Sequence, residues 1–206
     1  KDYRFAQPPR MPTLMAKAGD GKVILTWDDA ADKLTKDPFA GNINDFEGYK
    51  LFRATDKKFS DPQVITDGYG TESFMKPIFQ CDKIDGISGF AEFGHVNGML
   101  YYLGNETGIK HHYVDTEVEN GVTYYYALVA YDYGIEDIGI TPSENRIVID
   151  LDENENVRFY GQNVQIVTPR QEAAGYIPPN VELLVDDITI GTGTVVPEVL
   201  SEKFVK

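Results

Sequence analysis

Residues 118–132, which run Val118-Glu-Asn-Gly-Val-Thr-Tyr-Tyr-Tyr-Ala-Leu-Val-Ala-Tyr-Asp132, constrain the fold more than any other stretch of the chain. From Tyr124 to Tyr131 nearly every residue is aromatic, β-branched or small and apolar, which suits a pleated strand. Asn120-Gly121 before the run, and Asp132 and Gly134 after it, limit it to strand length. Both parities are apolar, with Tyr124, Tyr126, Leu128 and Ala130 on one side and Tyr125, Ala127, Val129 and Tyr131 on the other. An antiparallel sheet that is wet on one face alternates apolar with polar residues. This strand is therefore expected to be covered twice, by the core on one side and by an insert or a neighbouring domain on the other. Tyr124, shortly after Gly121, also has the local pattern of a tyrosine corner, in which a ring turns its hydroxyl back onto the preceding loop backbone.

The remaining strands are read around this one. Pro12 to Trp27 reads as a strand, a Gly-Asp-Gly turn and a second strand with Val23, Leu25 and Trp27 on one face. Gly48 to Arg53 reads as a third strand, Tyr113 to Asp115 as one that precedes the corner, and Pro142 to Asp150 as the last. Taken together, the proline-led first strand, Trp27, Gly48-Tyr49 with Arg53, Asp115, Gly121, Tyr124, Ala130 and Ser143 resemble a fibronectin type III module of the variety common in bacterial secreted proteins. The resemblance covers residues 8–55 and 109–150. It implies an all-β, antiparallel sandwich of fibronectin type III or immunoglobulin-like build, with Trp27, Tyr49 and Tyr124 in structural positions. It also implies an extracellular or cell-surface setting, and the motifs carry no activity.

At 206 residues the chain exceeds one sandwich of roughly 100 residues. Residues 1–12, with Pro8, Pro9 and Pro12, read as a stiff linker, and residues 13–150 as the sandwich. Residues 28–47 form a long acidic loop where a short turn would do. Residues 56–110 are an insert between the third strand and the corner, punctuated by glycine yet rich in Phe, Ile, Leu and Tyr. Such an apolar load is foreign to a linker, so the insert is expected to fold as short hairpins docked on the sandwich. Residues 151–206 begin with a polar junction and continue with strand-like runs at 157–160, 164–167, 181–185 and 188–190. They are expected to open a second β domain or to form a β arm that packs on the first domain or on another subunit. The chain starts at Lys1, which suggests a piece processed or excised from something longer.

Nineteen basic against 33 acidic side chains give a net charge of −14. That field repels phosphate backbones and anionic lipid, so nucleic acid is a poor partner, and no stretch approaches the roughly 20 apolar residues of a spanning helix. Cys81 is alone, so an internal disulfide is excluded, and it is read as buried and inert or as an intermolecular handle. His111 and His112 are adjacent on a strand and point to opposite faces, so they do not share a metal. No nucleophile elbow or phosphate cradle is present. Asp150, Asp152 and Asn154 place hard oxygen ligands at alternate positions, a calcium-like spacing that lacks the glycine and distal glutamate of an EF-hand loop. Asp82 and Asp85 are a second such candidate, and the competing reading of both is a polar turn.

Three roles follow. The first is a non-catalytic structural, adhesive or protein–protein interaction module of a larger protein, contacting other domains or subunits. The second is a carbohydrate-binding accessory module that stacks a glycan on Tyr101 and Tyr102. The third is a subunit of an extracellular fibre in which the arm after residue 157 pairs with a neighbour's open sheet edge.

Overall fold

The computed structural model describes residues 7–60, 64–66, 72–96, 99–173 and 175. The body is all-β and consists of two antiparallel sheets stacked as a sandwich. One sheet is β1 (Leu14–Gly19), β2 (Lys22–Trp27) and β9 (His112–Asp115), in that order. The other has the order β13–β10–β3–β6, made of β3 (Phe46–Ala54), β6 (Phe79–Asp82), β10 (Tyr124–Asp132) and β13 (Val164–Val167). Three two-stranded hairpins complete it: β4 (Val64–Thr66) with β5 (Glu72–Met75), β7 (Gly89–Val96) with β8 (Met99–Gly104), and β11 (Ile149–Leu151) with β12 (Val157–Tyr160).

Alternation along the strands fills the space between the sheets. Leu14, Val23, Leu25 and Trp27 descend from one sheet onto Tyr49, Leu51, Cys81, Tyr124, Tyr126, Leu128 and Ala130 of the other. Trp27 is 4% exposed and meets the Tyr49 ring edge-on at 5.8 Å between centroids. The corner forms as expected, because the Tyr124 hydroxyl accepts the backbone N–H of Glu119 at 3.0 Å. That bond fixes the entry of β10. Beside it Arg53 donates to both carboxylate oxygens of Asp115 at 2.9 Å, and the Tyr126 hydroxyl donates to the same group at 2.8 Å.

The opposite face of β10 is covered too. Tyr125 and Val129 are 7% and 1% exposed. They sit under Ile147, Ile149 and Val157, while Tyr131 lies under Ala91, Tyr101 and Leu103 of the β7–β8 hairpin. The insert thus supplies one half of the lid. It also supplies β6, which pairs with β3 from Gly48↔Asp82 to Leu51↔Phe79. The acidic loop before β3 holds the short helix α1 (Ala30–Leu34) and a 3₁₀ turn at Pro38–Ala40.

The last strand differs from the expectation. Ser143 to Asn145 starts beside the end of β10, where Asp132 N–H donates to Ser143 O and Asn145 N–H to Ala130 O, each at 3.0 Å. The chain then leaves the sheet, forms β11 and β12, and returns as β13 to pair Tyr124–Ala127 with Val167–Val164. Residues 146–150 are strand-like because Ile147 and Ile149 alternate, yet their apolar side faces the outer surface of β10. The polar junction at 151–156 is consequently a hairpin tip, with sheet residues on both sides of it, and the chain through 167 belongs to the same sandwich. Residues 176–206, with the runs at 181–185 and 188–190, lie outside the described residues, as do residues 1–6 of the linker.

Replacing Tyr124 by Phe removes one hydrogen bond and strands the Glu119 N–H. The expected loss is about 1–2 kcal/mol, measured as a lower urea midpoint at unchanged slope.

Candidate functional site

The insert hairpin is held to the sheet by polar groups. The Lys50 ammonium, on β3, is 3.3 Å from Glu144 and 3.8 Å from the centroid of the Tyr101 ring, with the Tyr131 ring at 4.7 Å. The Tyr101 hydroxyl donates to Glu144, and the Tyr131 hydroxyl donates to the Leu103 carbonyl. Gln80 donates to the Tyr131 hydroxyl at 2.8 Å. One cation therefore ties β3, the hairpin and the segment after β10 together. Burial lowers the pKa of Lys50, and the Glu144 carboxylate opposes that shift. At the hairpin base Asp82 accepts from Glu106 N–H, Thr107 N–H and the Thr107 hydroxyl. Gly104 lies so close to this carboxylate that a β-carbon there would sit 2.4 Å from it, at a φ of +138°.

Clamped in this way, the hairpin has two unlike faces. Ala91, Tyr101 and Leu103 point inward and are buried, whereas Phe90, Leu100 and Tyr102 point outward at 59%, 41% and 37% exposure. This corrects the pairing of Tyr101 with Tyr102. Neighbours on a strand face opposite ways, so Tyr101 is 1% exposed and unable to stack a ligand. Tyr102 is instead paired with Phe90, at 5.2 Å between centroids and 58° between planes.

Between the hairpin base and the loop after β10 lies a cleft of about 420 Å³, lined by Ile87, Phe90, Leu103, Tyr133, Ile135 and the exposed acids Glu136 and Asp137, among others. The loop wall is firmly built. Asp132 accepts from Gly134 N–H, Ser143 N–H and the Ser143 hydroxyl, and Ile135 bridges to Ile140. Gly134 has φ +70° and a β-carbon there would meet Pro142 N at 2.6 Å, so no larger residue fits that turn.

Under the hairpin base lies a nest of acids. Glu47 is fully buried, and neither of its carboxylate oxygens has a hydrogen-bond partner among the described residues. Burial first, then the charge of Asp85, pushes its pKa up to about 8, while Lys83 acts the other way. Burial likewise raises Asp45 to about 6 and Asp132 to about 7. The Tyr133 hydroxyl is raised as well, by burial and then by Asp45, Asp85, Glu47 and Asp132.

Of the other sequence candidates, Asp150 is exposed on β11, and several of the rest have structural partners. Asp152 accepts from the N–H groups of Asn154 and Asn156 and from the Asn156 amide, so its carboxylate closes the hairpin tip. Asp82 is likewise committed to the 104–107 loop. Among the described residues no group of three or more His, Cys, Asp or Glu side chains is placed to hold a metal ion. Cys81 is buried, and burial pushes its thiol up to about 11, which keeps it neutral. His111 contacts Asp32 at 3.2 Å, and Tyr49 donates to that same carboxylate at 2.9 Å, which pins α1 to the sandwich. A further cavity beside Arg53, Tyr113, Asp115 and Tyr124 holds the Arg53–Asp115 pair already described. Among the described residues no helix is long and apolar enough to cross a membrane. Compared with protein-family models, curated proteins and solved structures, the chain matches none.

The cleft was not legible beforehand, because it joins residues 86–91 to residues 133–137 across the fold. The alternation of Phe90, Leu100 and Tyr102 against Ala91, Tyr101 and Leu103 was a usable signal.

Two outcomes are expected. Lys50→Ala leaves Glu144 and two ring faces without their cation, at a cost of about 2–4 kcal/mol read from chemical denaturation. Glu47, Asp45 and Asp132 have folded pKa values above their unfolded ones. Their contribution to stability is therefore fullest below about pH 4 and is lost as pH climbs through about 6 to 8. Melting curves across that window should fall with pH, and Glu47→Gln should flatten the upper part of the fall.

Proposed function

We propose that this chain is a non-catalytic interaction module of a larger protein, of fibronectin type III-like build, that works at the cell surface or outside the cell. The observation that carries the reading is the outward face of the β7–β8 hairpin. There Phe90, Leu100 and Tyr102 stand exposed on one side, with Phe90 also lining the neighbouring cleft, on a hairpin whose underside is locked by Lys50, Glu144 and Asp82. Scattered apolar residues on a surface mean little, but a grouped set on a rigid support is what a contact surface needs. The three-plus-four sheet arrangement and the Tyr124 corner support the type III-like part of the reading. The described part of the arm, through residue 167, fills its own molecule's sheet, so it lends no support to fibre assembly by that segment.

A carbohydrate-binding role is the second reading, and the exposed Phe90–Tyr102 pair favours it. The rings are tilted against each other, so a sugar would stack on one of them and contact the edge of the other.

A library of random heptapeptides panned against the module is expected to enrich a consensus. Its binding should weaken at least about tenfold in a Phe90→Ser, Tyr102→Ser variant whose melting temperature is unchanged. Hits on a glycan array that the same variant loses, with no peptide enriched, transfer the assignment to carbohydrate. Silence in both experiments overturns the reading.

A further inference from the structure

We infer that the cleft between the hairpin base and the loop after β10 receives a basic side chain, arginine or lysine, carried beside an apolar residue on a partner polypeptide. The inference rests on the interaction-module reading above and names the chemistry of its ligand. Three observations carry it. First, the lining is apolar on the walls, with Ile87, Phe90, Leu103 and Ile135, and acidic at the rim, with Glu136 and Asp137, and among the described residues it includes no lysine or arginine. A cavity of about 420 Å³ accommodates one long side chain and part of a neighbour. Second, Glu136 and Asp137 project from a 3₁₀ turn fixed by the Ile135–Ile140 bridge and the Asp132–Ser143 bonds, so the backbone that carries the two carboxylates is in place before any ligand arrives. Third, the charges behind the cleft have the same sign, since Asp45 and Asp85 act on Tyr133, which lines it, while Glu47 and Asp132, raised by burial to about 8 and about 7, add to that field as they ionise with rising pH. Lys83 is the cation that tempers this nest, and it acts on Asp45 and Glu47.

These features match a long side chain with an apolar stem and a cationic head. The stem lies along Ile87, Phe90 and Ile135 while the head meets Glu136 and Asp137. The planar guanidinium also stacks on an aromatic face, and Phe90 offers one at the rim. The net charge of −14 steers such a partner toward the surface and repels acidic competitors.

The test uses the whole chain, labelled with ¹⁵N, and two small probes: N-acetyl-leucyl-arginine amide and its citrulline counterpart, which keeps the shape and loses the charge. With the arginine probe, amide shifts are expected at residues 86–91 and 133–137. The citrulline probe should bind at least about tenfold more weakly. A Glu136→Gln, Asp137→Asn variant should bring the arginine probe down to the citrulline level, with the spectrum of the free protein otherwise unchanged. Equal binding of the two probes, shifts centred elsewhere, or no shifts at millimolar probe each overturn the inference. Should panning enrich peptides that lack a basic residue and compete for the Phe90–Tyr102 face, the ligand chemistry falls while the module reading stands.

Discussion

A strand that is apolar on both faces has to be buried twice, and much of this molecule's architecture follows from meeting that demand at β10. A two-sheet sandwich covers one face of each sheet, so an ordinary sandwich strand needs apolar residues at alternate positions alone. Here Tyr124, Tyr126, Leu128 and Ala130 take the place between the sheets, and Tyr125, Ala127, Val129 and Tyr131 require a second layer. That layer comes from two distant parts of the chain. The hairpin of the insert covers Tyr131, and the excursion after Asn145 covers Tyr125, Ala127 and Val129. Removing either would open apolar surface on the longest-paired strand of the fold, at roughly 25 cal/mol for each Å² exposed.

The two halves of the outer layer are attached differently. The excursion is held mainly by apolar packing of Ile147, Ile149 and Val157, which is non-directional. The insert hairpin is held by directed groups: a buried ammonium against two tyrosine rings, a carboxylate wrapped by three donors, and two tyrosine hydroxyls. Buried charges gain little net stability, because desolvation consumes much of the attraction, but they penalise every arrangement except the one that satisfies them. This is the economical way to fix how a glycine-rich insert sits. Glu47 and Asp45 are exceptions in the same neighbourhood, buried carboxylates without a donor among the described residues, and proton uptake is how such groups become tolerable.

How much of this could be read from the residues depends on the range of the signal. Local patterns sufficed for β1, β2, β3, β9 and β10, for the burial of Trp27 and for the corner at Tyr124, because alternation and turn residues act over a few positions. The same local logic read residues 146–150 as strand, and Ile149 and Asp150 do lie in β11, but that strand pairs with β12 and not with β10. Their alternation is that of a strand beside β10, and nothing nearby in sequence distinguishes pairing with a strand from lying across its face. Tyr101 and Tyr102 show the converse, since strand alternation already separates them and only treating them as a unit obscured it. The cleft and the Lys50–Glu144–Tyr101 clamp join positions 40 or more residues apart, and the acid nest brings Asp45 and Glu47 of β3 and its approach to Asp85 and Asp132, so no local pattern contained them.

The final strand is interrupted. It begins at Ser143–Asn145, breaks off, and resumes at Val164, with Asn145 and Asn163 gripping the backbone at the two points of departure: Asn145 accepts from Ala130 N–H and donates to Pro9 O, and Asn163 donates to Leu128 O and Arg146 O. The detour between them is thus stitched at its neck independently of its length. Its stem is needed as a cover, but its tip, residues 152–155, is solvent-exposed and linked to the body by Lys57 and Lys58 through Glu155 alone among the described residues. The molecule therefore possesses a natural grafting port, a spot where foreign loops or tags of varied size can be spliced in while both sheets keep their register.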